Sequence, residues 1–131
     1  MRYLIMMNLP AATFDYTHQE WAPADWKAHT TAQSRLNKTL EGAGELVGIE
    51  RLTSPKSAKL IHADANGLPN TDGVFAESKE FLAGFWVIDV ASPERAYEIA
   101  AIVSALPGPG GKPLNMPVEV RAVMSGGSNN E

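Results

Sequence analysis

Two runs of this chain are apolar at almost every position, and they restrict the fold more than any other feature. In residues 2–7 (RYLIMM), Tyr3, Ile5 and Met7 alternate with Leu4 and Met6; in residues 81–90 (FLAGFWVIDV), Phe85 and Val87 alternate with Trp86, Ile88 and Val90. A strand sends successive side chains to opposite faces, so a sheet with one wet face carries polar residues at every second position. Here neither parity is polar, and both faces of the sheet need a cover.

The remaining segments supply a cover for one face. Pro23 suits a first helical turn, and Trp26, His29, Gln33, Leu36, Leu40 and Ala43 recur at three- or four-residue spacing up to Gly44, which predicts a helix over 23–43. Ser92 as cap, Pro93 at the first position and Glu94 against the dipole open a second helix over 93–106, whose Ala96, Ile99, Ala100, Val103 and Leu106 share a face until Pro107. Residues 45–52 (ELVGIERL) and 57–64 (SAKLIHAD) read as strands of a hairpin joined around Ser54-Pro55, with Asn66-Gly67 turning the chain afterwards; residues 116–124 (MPVEVRAVM) read as the last strand. The connection 8–22, with Phe14, Tyr16 and Trp21, has the length of a lid, a dimer contact or a binding loop.

The order is β-α-β-β-α-β, with residues 70–80 interpolated between the third strand and the fourth. It predicts one α+β domain over 1–124, ferredoxin-like with split βαβ units, an antiparallel sheet and both helices on one face, followed by a tail over 125–131. A second copy of the chain is the economical cover for the other face, and two such sheets face to face enclose a barrel-like interior. Burying ~500 Å² of apolar surface per subunit at ~25 cal/mol/Å² is a gross term of ~12 kcal/mol, enough to outlast the cost of association. The expected partner is therefore the chain itself, as a homodimer.

Charge and composition narrow the function classes. With 15 acidic and 11 basic residues among 131, a net charge of −4 and no like-charge run, the chain lacks the basic footprint of a nucleic-acid or anionic-membrane binder. The absence of cysteine excludes disulfides, thiolate metal sites and cysteine nucleophiles. The apolar start is too short for a signal or a membrane span, so a cytoplasmic location is expected. No cofactor motif is present: GPGGK (108–112) follows a helix instead of a strand, and Pro113 stands where a phosphate loop needs Ser or Thr. His18, His29 and His62 have no close ligand spacing, so no metal site is expected.

The segment TDGVFAESKE (71–80) precedes the central strand, and here the chain resembles the YCII-related family, in its branch named for a DGPF motif. Asp72, Gly73 and Phe75 match that motif, with Val74 where the family usually has proline, and Ala76, Glu77, Lys79 and Glu80 match the run after it. Leu82, Gly84, Phe85, Ile88, Asp89 and Val90 are similar to the family's central strand; Leu40, Gly44, Leu46 and Val47 are similar to its first helix and second strand; Val118, Glu119, Val120, Arg121 and Val123 are similar to its last strand. The resemblance implies a dimeric α+β barrel. It also implies a loosely defined role: proposed enzymes in one branch, appendages of sigma factors in the other. The family's proposed chemistry implies a first-helix histidine and an aspartate near a cleft. Counted back from Gly44, the histidine position falls on Gln33, with His29 one turn earlier on the same face.

The candidate residues fall into two groups. His29 beside Asp72 would form a general base oriented by a carboxylate, whereas the structural alternative is a hydrogen-bonded histidine at the core edge and a plain Asp-Gly turn. On the strands, His62 alternates with Leu60 and Asp64, and Glu119 and Arg121 face away from Val118, Val120 and Ala122. Glu119 and Arg121 form either an interface ion pair or an anion site. Lys79 is an anion-binding group or a solvated charge between Glu77 and Glu80, and Trp86 is a stacking platform or a core residue. The functional expectation is a small-molecule cleft near Asp72, His29 and Arg121 that binds a ligand or performs modest acid-base chemistry. The alternative is a non-catalytic interaction domain tied to transcription regulation, and an oxygenase-like activity rests on fold analogy alone.

Overall fold

Pro23 and Gly44 bound the first helix as their chemistry dictates. In the computed structural model, which describes residues 1–10, 21–73 and 80–124 (for residues 72 and 73 the backbone alone), α1 runs over Pro23–Gly42. Its last turn closes in a Schellman motif, with Gly44 at φ 72°, Glu45 N–H donating to Leu40 O at 2.8 Å and Gly44 N–H to Glu41 O at 3.0 Å. Ala22 at the cap has no side chain to offer, and the Asp25 carboxylate instead accepts the Ala22 N–H at 2.9 Å. The second helix, α2 (Pro93–Ser104), is capped by the Ser92 hydroxyl accepting from Arg95 N–H.

The strands are β1 (Arg2–Pro10), β2 (Leu46–Arg51), β3 (Leu60–Ala63), β4 (Pro69–Gly73), β5 (Glu80–Asp89) and β6 (Glu119–Ala122). Four of them form an antiparallel sheet in the order β2-β5-β1-β6, so the two runs that are apolar in both parities lie at its centre. Together with the two helices this is the expected ferredoxin-like α+β arrangement. On the helix-covered face Tyr3 lies opposite Ile88 and Ile5 opposite Trp86, and these pack with Leu36, Leu40, Ala96, Ile99, Val103 and Leu106 into one core. Alternation turns Leu4, Met6, Phe85 and Val87 away from both helices; they are half-buried, and Val47 on the edge strand is 46% exposed.

At the end of the sheet marked by Asp89, a two-pronged ion pair ties α2 to Glu45, the residue that leads into β2. Arg95 donates from Nε and Nη2 to the two carboxylate oxygens of Glu45, each at 2.9 Å, and from Nη1 to Glu98 at 3.1 Å. An arginine in the first turn of a helix opposes the dipole, and these carboxylates offset that cost.

One expectation is corrected. Residues 45–52 and 57–64 do not pair with each other: β2 pairs with β5, while β3 pairs with β4 in a separate two-stranded sheet. Leu46 and Ile49 have apolar surface to place on the helix-covered face, which holds β2 against the central strand. The hairpin turn is Asn66-Gly67, where Gly67 takes φ 79° and the Asp64 carboxylate accepts from Asn66 N–H and Leu68 N–H at 2.8 and 2.9 Å. The third strand of the main sheet is therefore β5, and the β3–β4 hairpin is an excursion inserted before it.

Candidate functional site

Along the helix-covered face, cross-strand rows change from filled to open. Leu46, Ile88 and Tyr3 make one row and Ile49, Trp86 and Ile5 the next; the third is Arg51, Gly84 and Met7. The matching stripe on α1 changes with it, from Leu40 and Leu36 to Gln33, His29 and Trp26. Above the third row lies a cavity of about 740 Å³, bounded by the N-terminal half of α1, by Trp21, by the ends of β1, β2 and β5, and by the loop carrying Leu114 and Met116. Gly84 makes the floor. A Cβ there would stand 2.9 Å from the Glu50 carbonyl oxygen, so only glycine lets β2 approach this closely.

The loop is fastened from several sides. Gly110 N–H donates to Asp25 at 3.0 Å, Leu114 N–H to Leu106 O at 3.0 Å, and the Ser104 hydroxyl to Met116 O at 2.6 Å. Asp25 thus closes the start of α1 and holds the far wall of the cavity with the same carboxylate.

His29 is the one buried polar side chain of the described core, 6% exposed, and it borders the cavity. Its Nδ1 lies 2.9 Å from the carbonyl oxygen of Pro107. A carbonyl only accepts, so Nδ1 carries the hydrogen, and in the neutral ring Nε2 holds a lone pair. No second hydrogen bond reaches the ring among the described residues. Trp21 and Trp26 meet it edge-on, with centroids at 5.4 and 6.4 Å, and lie against each other at 4.4 Å. Trp86 is 1% exposed and anchored by its indole N–H to Asn37 Oδ1 at 2.9 Å, so it belongs to the core and to the cavity wall together.

The structure distributes the expected site residues over several places. His29 and Trp86 border the cavity, and so does Gln33 one turn along the helix. Glu119 and Arg121 pair with Met6 and Leu4 on β1, on the sheet's opposite face, so they do not share a cleft with His29 within one chain. Glu119 accepts from Asn8 at 3.1 Å. His62 sits opposite Asn70 on the exposed β3–β4 hairpin, away from the cavity. Asp72 has its backbone in β4 while its side chain lies outside the described residues, as does all of Lys79. Arg51 was not singled out by sequence reasoning. Its signal was parity: two residues beyond Ile49, it faces the same side of the sheet. The wall formed by Trp21 and Met116 comes from two segments distant in the chain: Trp21 ends the connection whose length already suggested a lid, a dimer contact or a binding loop, whereas Met116 had no local signal.

Among the described residues no cluster of three metal-ligating side chains occurs, and no helix is long and apolar enough to cross a membrane. A family model for the YCII-related domain matches residues 1–106. An uncharacterized protein of Rhizobium meliloti (strain 1021) is 39% identical over 71 residues, which cover 54% of this chain and 57% of that protein. The chain thus spans little more than half the length of this relative.

Proposed function

The chain belongs to the YCII-related domain family, and from that premise we propose that it binds a small planar molecule in the cavity between α1 and the sheet, with His29 Nε2 accepting a hydrogen bond or a proton from it. One observation carries this reading: a buried imidazole that borders about 740 Å³ of space, fixed through Nδ1 on Pro107 O and with no second hydrogen bond among the described residues. Buried polar atoms are nearly always hydrogen-bonded, and a nitrogen held in one tautomer beside a void is suited to a ligand's O–H or N–H. A backbone carbonyl orients the ring here, the role expected of Asp72 from the sequence. Mostly apolar walls with a few polar groups are what a small-molecule site requires.

The second part of the proposal concerns assembly. Leu4, Met6, Phe85 and Val87 lie on the face that neither helix covers, rimmed by Glu119, Arg121, Arg2 and Asp89. A second copy packed there would bury both apolar patches and pair the rim charges across a twofold axis.

All three tryptophans, Trp21, Trp26 and Trp86, border the cavity, so their indole N–H resonances report directly on its occupancy. In 2-naphthol titrations all three are expected to shift, with 2-methoxynaphthalene binding more weakly because it has no hydrogen to donate. His29→Phe, checked by its melting curve, should cost 2-naphthol about tenfold and 2-methoxynaphthalene little, the worth of one hydrogen bond of about 1–1.5 kcal/mol. Indole resonances that stay fixed throughout would refute the pocket and favour the interaction-domain reading.

A further inference from the structure

We infer that the cavity is selective for planar carboxylates, with Arg51 as the residue that holds the acid group. The inference rests on the small-molecule reading above and adds its chemical class.

Arg51 is the β2 member of the open row, directly across from Gly84, and it borders the cavity. Ile49, two residues back, packs into the core, so alternation aims Arg51 at the same helix-covered side. Because Gly84 has no side chain and Met7 is the next in the row, nothing in register fills the space beside the guanidinium. Glu50 also borders the cavity, but alternation sends its side chain to the opposite face, and it is the Glu50 carbonyl that lies over Gly84. Asp25 is engaged by Ala22 N–H and Gly110 N–H. Among the described residues Arg51 has no ion pair, in contrast to Arg95, which is held by two carboxylates.

The shape of the site supplies the rest. Trp21 and Trp26 stand close together on one side, Trp86 closes another, and Met7, Ile49 and Leu114 complete walls suited to a flat apolar body. A guanidinium at the rim of such walls matches the planar fork of a carboxylate and makes two charge-assisted bonds to it. A site with one arginine, an acceptor nitrogen on His29 and aromatic walls discriminates by charge at one end and by a donated hydrogen at the other.

The test compares 2-naphthoate with 2-naphthamide, which have the same shape but differ in charge, by calorimetry and by the three indole N–H resonances. The acid is expected to bind at least tenfold tighter than the amide, and Arg51→Gln should remove that preference while leaving the melting temperature unchanged. Arg51→Lys should keep part of the preference. Equal affinity for acid and amide, or indifference of the acid to Arg51→Gln, would overturn the anion selectivity and leave the pocket standing. If neither compound, nor 2-naphthol, moves the indole resonances, the pocket fails and this inference fails with it.

Discussion

Replacing Arg95 by Gln should destabilise the fold by an amount that depends on pH in a definite direction. The guanidinium makes three hydrogen bonds: two at 2.9 Å to Glu45, whose side chain is 15% exposed, and one at 3.1 Å to Glu98, which is largely in solvent. The Glu98 bond counts for little at that exposure. The Glu45 pair is charge-assisted and bidentate, each bond worth about 1.5–3 kcal/mol before discounting. Arg95 itself is 34% exposed, and solvent screening reduces the sum to about 1.5 kcal/mol, a melting shift of about 5 °C for a chain of this size. The hydrogen bonds from Arg95 hold the Glu45 carboxyl below its ordinary range, against the opposing effect of burial and with help from the arginine charge. Since the folded-state pKa is the lower one, the unfolded chain takes up the proton first on acidification. The stabilisation is therefore complete above the ordinary glutamate range and is lost as pH falls through the lowered folded value. Urea melts of the wild type, Arg95→Gln, Glu45→Gln and the double variant, at neutral and at strongly acid pH, measure this. The coupling energy should be about 1 kcal/mol near neutrality and vanish in acid. A gap between wild type and Arg95→Gln that is the same at both pH values would refute the reasoning. Binding in the cavity gives an internal control, because Glu45 and Arg95 lie at the other end of the sheet from Gly84.

Two other outcomes can be checked independently. Gly84→Ala places a methyl group against the Glu50 carbonyl, so it should cost about 1–3 kcal/mol in a denaturant melt and weaken 2-naphthol binding by narrowing the floor. Phe85→Lys, on the face turned away from α1 and α2, should convert a dimer into a monomer in sedimentation velocity while leaving the helical circular dichroism intact; a wild type that sediments as a monomer across its concentration range would end the second-copy proposal.

Local chemistry made much of the fold legible in the sequence. Pro23, Gly44, Ser92 and Pro93 mark helix ends through backbone geometry and capping, which act over a few residues, and Ala96, Ile99, Ala100 and Val103 mark a buried face through period alone. Parity alone likewise assigned Glu119 and Arg121 to the face opposite Val120. Strand pairing was another matter. The strength of an Asn-Gly turn was visible in Asn66-Gly67, but its partners β3 and β4 were not, because which strand a β2 or a β3 joins is decided by where distant apolar faces are buried.

The candidate site divides in the same way. His29 was visible as a polar break in the apolar stripe of α1, and Trp86 as an aromatic in a central strand. The cavity was not. It exists because Gly84 leaves a row of the sheet unfilled, because Asp25 pulls the 109–111 turn against the start of α1, and because Pro107 O holds the His29 ring at its wall. Each of those facts joins residues far apart in the chain, 85 positions for Asp25 and Gly110 and 78 for His29 and Pro107. Short-range propensities carry no information about such meetings; packing does.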